Sequence, residues 1–130
     1  MMPEIFNLEI ISPDKTLIKS EVQQVTIPAF EGLMTILKDH ISIITFLRPG
    51  FVEAEISGKT QKFYVEEGTV EFSNNQLLIL SSTAINVDNL TKDLISKMIE
   101  ETKTSLKQLE INDKEKYILN HKVDSLQEIN

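Results

Sequence analysis

Three groups of side chains in this 130-residue chain could do chemistry. Ser81, Ser82 and Thr83 place three hydroxyls in a row, the raw material of a nucleophile. Glu66 and Glu67 set two carboxylates side by side, as acid–base work requires. His40 stands beside Lys38 and Asp39 and adds an imidazole ring. A nucleophile needs a base within hydrogen-bond reach, and an acid and its base must converge on one substrate. A small hydrolase or isomerase would therefore have to bring Glu66, Glu67 and His40 into one pocket. Each group also has a structural reading. The hydroxyls follow the apolar run 77–80, where such residues bond nearby backbone at a strand end. Glu66-Glu67-Gly68 reads as a solvated hairpin turn. His40 reads either as a loop residue capping a strand or as a recognition residue on an exposed loop. There is no cysteine, and His40 and His121 lack metal-ligand spacing. No glycine-rich phosphate loop of the Walker type is present.

The elements that must position these residues change character near Ala84. Before it, Phe6, Leu8 and Ile10 alternate with polar neighbours, as do Val52, Ala54 and Ile56. This period of two describes strands with one buried face. Ser57-Gly58 and Asn74-Asn75 mark tight turns, and Gly32 marks a sharp bend. The runs 41–47 and 77–80 read as continuous buried strands, the first closed by Pro49-Gly50. Many short strands with frequent turns predict two packed antiparallel sheets. After Ala84, Leu90, Leu94, Ile95, Met98, Ile99, Thr102, Leu106 and Leu109 recur at helical spacing. Asp88 is the expected N-cap of this first helix. Asn112 and Glu115 form a capping box for a second helix carrying Tyr117, Ile118, Leu126 and Ile129 inward. The expected fold is α+β, mainly β: an antiparallel β-sandwich in residues 1–85 and a C-terminal α-helical hairpin in residues 86–130.

Composition narrows the function. Apolar residues make up 41% of the chain, enough for a core, and the formal net charge is −7. That charge disfavours nucleic acid and anionic lipid as partners. No apolar run has the length of a membrane span, and the acidic start of the chain does not read as a signal or transit peptide.

The segment IPAFEGLMTILKDHISIITFLRPG, residues 27–50, resembles the signature of the epsilon subunit of F-type ATP synthases. That pattern runs P-A-x-x-G-E-x-G-I-L-P-x-H-A-P-x-x-x-x-L-x-P-G. Pro28, Ala29, Gly32, Ile36, Leu37, His40, Leu47, Pro49 and Gly50 fall in its register. FYVEEGTVEFSNNQLLILSSTA is similar to a second stretch of the family through Phe63, Val65, Gly68, Glu71, Asn75, Leu80 and Ala84. The resemblance implies a non-catalytic subunit of the central stalk, which couples proton flow through the c-ring to ATP synthesis by way of the gamma subunit. The implied interface is Glu31, Gly32, Leu33, Met34, Lys38, Asp39 and His40, in loops that meet gamma and the c-ring. The helices, with Lys114, Lys116 and Lys122, are implied contacts to the alpha and beta subunits when they restrain ATP hydrolysis. Membrane association would be indirect, through the complex, at the cytoplasmic face of a bacterial cell membrane. A freestanding β-sandwich binding module is the alternative.

Two departures bear on that expectation. Leu33, Thr35, Lys38 and Ser42 stand where the family often has Glu, Gly, Pro and Pro, which changes the stiffness of the loop ends. Some bacterial members bind ATP through I/L-D-x-x-R-A at the first helix, with arginines of the second. Here that segment starts at Val87-Asp88, and Thr91 holds the arginine position. Arg48 is the one arginine of the chain. Asp88 alone is a poor phosphate site, because lysines lack the bidentate guanidinium fork. No cofactor is expected, and ATP binding is expected to be weak or absent.

Overall fold

The computed structural model describes residues 4–107 and 112–129. The strands are β1 (Phe6–Ile11), β2 (Thr16–Val22), β3 (Gln24–Ala29), β4 (Gly32–Ile36), β5 (Ile43–Leu47), β6 (Gly50–Ile56), β7 (Lys59–Val65), β8 (Gly68–Ser73), β9 (Gln76–Leu80) and β10 (Ile85–Asn86). A 3-10 turn, Val87–Asn89, leads into α1 (Lys92–Leu106) and α2 (Asp113–Ile129).

One layer pairs β4–β3–β6–β7–β10, and the other pairs β5–β8–β9–β1–β2. The Ala29–Leu47 pair between β3 and β5 links them. Alternation sets the core. Phe6, Leu8 and Ile10 of β1 are buried with Val25 and Ile27 of β3, Val52 and Ala54 of β6, and Val70 and Phe72 of β8. The two short turns form as expected. Ser57 and Gly58 have φ of 52° and 80°, and Asn74 and Asn75 have 50° and 57°. Positive φ at both central residues matches the right-handed twist of the flanking strands.

Several expectations need correction. The sandwich is antiparallel except for the β1–β9 ladder, which is parallel. No hairpin constrains two strands so far apart in sequence. Residues 77–80 are not uniformly buried: Leu77 and Ile79 face the core, whereas Leu80 is 45% exposed. The run 41–47 is not a buried strand either, since Ile41, Ile44 and Phe46 are exposed. Asp88 does not cap α1. Its amide is held by the Asn86 side chain, and Thr91 caps α1 through Leu94 N at 3.2 Å. Leu90 thus precedes the helix, with extended backbone, and Leu94 points outward. Leu109 lies outside the described residues. The capping box at α2 forms, with Glu115 N donating to Asn112 Oδ1 at 2.8 Å.

The helical hairpin packs on the outer face of the first layer. Phe51 of β6 and Tyr64 of β7 point outward and meet Ile95 of α1 and Leu126 of α2. Met98, Ile99 and Ile129 surround them. Leu126 is fully buried, which stabilises the docked hairpin by about 2 kcal/mol. Thr102, also buried, returns its hydroxyl to Met98 O at 2.7 Å, so no polar atom is stranded there.

Candidate functional site

The edge strands β4 and β5 follow each other in the chain and are joined by the loop 37–42. Asp39 holds a left-handed φ of 66° at the tip of this loop. Asn75 secures it from the β8–β9 turn: Asp39 N donates to Asn75 Oδ1 at 2.7 Å, and Asn75 Nδ2 returns a bond to Asp39 Oδ1 at 2.9 Å. His40 lies edge-on to the buried Phe72 at 5.9 Å, and its Nδ1 is 2.7 Å from Ile41 O. The loop is thereby tied to the sandwich at its tip and at the residue that follows. Its apolar members remain outside. Leu37 and Ile41 are 52% and 76% exposed, and on β5 Ile44 and Phe46 are 77% and 59% exposed. These four make a strip continuous along the chain, on an edge strand of the layer away from the helices. Ordinary edge strands carry charges there, because an apolar edge invites pairing with another chain.

The other expected interface residues are divided. Glu31 is exposed in the β3–β4 turn, where Gly32 takes φ of 137°. Leu33 points outward, while Met34 packs on the core. Lys38 and Asp39 are exposed, and His40 is half-buried. The first group and the second sit at opposite ends of β4, so they form two surfaces and not one. Leu37, Ile41, Ile44 and Phe46 were not among the expected contacts. The signal for them lies in Ile43-Ile44-Thr45-Phe46-Leu47, where both faces of an edge strand carry large apolar residues.

The groups that could do chemistry do not converge. Glu66 and Glu67 precede β8, and His40 packs near its far end. Glu67 Oε1 accepts bonds from Ser82 N and Oγ at 2.9 and 2.6 Å. Ser81 Oγ donates to Glu67 O, and Thr83 Oγ1 accepts from Glu66 N. The hydroxyl run thus closes a strand-end turn. Glu66 Oε2 accepts from Tyr64 OH at 3.0 Å, and burial together with that carboxylate pushes the phenol's pKa well up. Among the described residues, no three His, Cys, Asp or Glu side chains are placed to hold a metal ion.

A cleft of about 230 Å³ separates α2 from β3 and β6, lined in part by Arg48, Glu53, His121, Asp124 and Glu128. Burial lowers the pKa of His121, and Arg48 adds to the effect, while Asp124 opposes it. Near this cleft, the Tyr117 hydroxyl donates to Phe30 O at 2.6 Å, and its ring stacks on Phe30 at 5.7 Å.

Residues 5–87 match the family model described as ATP synthase, Delta/Epsilon chain, beta-sandwich domain. The chain is 42% identical over 130 residues to the ATP synthase epsilon chain of Pelagibacter ubique, covering 99% of this chain and 100% of that one. It is 38% identical over 106 residues to the epsilon chain of Allorhizobium ampelinum, covering 81% and 78%. A chain in the Euglena gracilis mitochondrial ATP synthase (OSCP/F1/c-ring) superposes with a TM-score of 0.78 at 19% identity, covering 98% of this chain and 82% of that one. One in the central stalk and c-ring of the Tetrahymena thermophila enzyme gives 0.66 at 14% identity, covering 94% and 93%. At those identities the two structures establish the shared fold.

Proposed function

The chain belongs to the epsilon-chain family of ATP synthases, and we propose that it works as the non-catalytic epsilon subunit of an F-type synthase, bound to gamma and touching the c-ring. The observation that carries this reading is the strip Leu37, Ile41, Ile44 and Phe46. Four large apolar side chains on a tied loop and an edge strand suit a permanent protein partner far better than water. Gamma is the partner we assign to it. Glu31 in the β3–β4 turn and Lys38, Asp39 and His40 in the next loop are polar contacts beside it, shared between gamma and the c-ring. Among the described residues no helix is long and apolar enough to cross a membrane; in this reading the chain is attached through these partners, at the cytoplasmic face. Gel filtration with the cognate gamma subunit tests the reading. A one-to-one complex is expected, with Ile44→Asp and Phe46→Ser each weakening it by at least about tenfold. A monomer with no affinity for folded gamma would instead support a freestanding binding module.

ATP has no built site in this reading. Thr91, at the arginine position, uses its hydroxyl to cap α1, and Asp88 lies in the short turn before it. Calorimetric titration of the full chain with ATP should show no micromolar binding. Restraint of ATP hydrolysis by the helices, gripping alpha and beta through Lys114, Lys116 and Lys122, requires the hairpin to leave the sandwich first.

A further inference from the structure

We infer that α2 is held on the sandwich by a two-point latch, Lys122 on Glu66 and Tyr117 on Phe30, whose ionic half sets how readily the hairpin leaves. Lys122 Nζ lies 3.0 Å from Glu66 Oε2, and the two side chains are only 24% and 22% exposed. Among the described residues this is the one ion pair between the helices and the sandwich. The other two, Lys19–Glu9 and Lys62–Glu53, are more open and lie within the strands.

Glu66 is prepared for this role. Its backbone amide is bound to Thr83 Oγ1 at 3.0 Å, which fixes the loop. The same carboxylate oxygen that meets Lys122 also accepts from Tyr64 OH. Tyr64 itself is buried beneath the hairpin among Phe51, Ile95 and Leu126. Carboxylate, phenol and ammonium thus form one network at the seam between sheet and helix, where an ion pair is screened less than at the surface. The second point lies five residues back on α2. The Tyr117 hydroxyl bonds the Phe30 carbonyl, and the ring stacks on Phe30. Opening the hairpin breaks both points. It leaves Glu66 without its cation and frees Lys122. The adjacent Glu66 and Glu67 are thereby accounted for: one holds the helix, the other closes the turn.

The inference rests on the packing alone and holds whether or not gamma is the partner. Its test is amide hydrogen exchange on the full chain, comparing the native chain with Lys122→Met, Glu66→Gln, the double variant and the charge-swapped Lys122→Glu/Glu66→Lys. Exchange in α1 and α2 should quicken by about tenfold in each single variant. The double variant should be no worse than the singles, and the swap should recover part of the loss. Strands β1, β3 and β8 should keep their native exchange, which separates opening of the hairpin from unfolding of the sandwich. Unaltered helix exchange in both single variants, or an equal rise in helices and strands, overturns the latch.

Discussion

His121 shows how much one ring can depend on where its neighbours lie. On α2 it packs against Tyr117 at 4.5 Å and faces the cleft that holds Arg48, with Glu53, Asp124 and Glu128 around it. Burial first, and then the Arg48 charge, lower its pKa from the ordinary 6.5, against the pull of Asp124. A released hairpin returns the ring to its ordinary value. Between the lowered and the ordinary pKa the released form therefore binds more protons than the docked one. Docking is strongest above the ordinary value and weakens as pH falls through it toward the lowered value. Helix amide exchange, corrected for its intrinsic pH dependence, should be faster relative to the strands at about pH 5.5 than at about pH 7.5. His121→Phe should flatten that difference, and an unchanged slope in this variant would assign it to other groups.

Elements fit together here at points where two backbones nearly touch. Gly50 opens β6 beside β3, and a Cβ at that position would lie 2.6 Å from Pro28 Cβ. Neither atom is the free end of a flexible side chain, so the strands themselves must separate. Gly50→Ala should destabilise the sandwich by about 1–3 kcal/mol, seen as a lower urea midpoint with an unchanged slope. A midpoint within error of the native one would mean that β3 yields without loss. The same level of organisation explains β5. It borders β8 along its length and meets β3 only at Ala29–Leu47, and its outer face displays Ile44 and Phe46.

The whole molecule consists of a core that closes without the helices and a hairpin that covers one face of it. The main cluster runs from Phe6 to Ala84 and contains no helical residue. The second cluster exists where the hairpin lies on Phe51 and Tyr64. Removing the chain from Val87 onward should therefore leave a cooperatively folded sandwich with two bared aromatic rings. Circular dichroism should retain the strand signal, while binding of a hydrophobic dye rises and the fragment self-associates. Loss of the strand signal would show that the helices are part of the folding unit.

Much of this was legible in the residues themselves. Period-two burial, the turns at Ser57-Gly58 and Asn74-Asn75, the capping box at Asn112 and the change to helical spacing after Ala84 all follow from local stereochemistry. Local rules act within a few residues, and they hold wherever the chain goes afterwards. The family was legible too, because register through Pro28, Gly32, His40, Pro49 and Gly50 is a property of sequence. What lay beyond it depended on which elements become neighbours. Ile41–Ile44–Phe46 looks like core until β5 proves to be an edge with nothing across its outer face. Asp88 looks like a cap until Asn86 takes the amide of Asp88 itself and Thr91 takes that of Leu94. Glu66 looks like a solvated turn until α2 brings Lys122 to within 3.0 Å of it. Burial, pairing and charge compensation belong to pairs of residues distant in sequence, and tertiary structure alone decides which pairs those are.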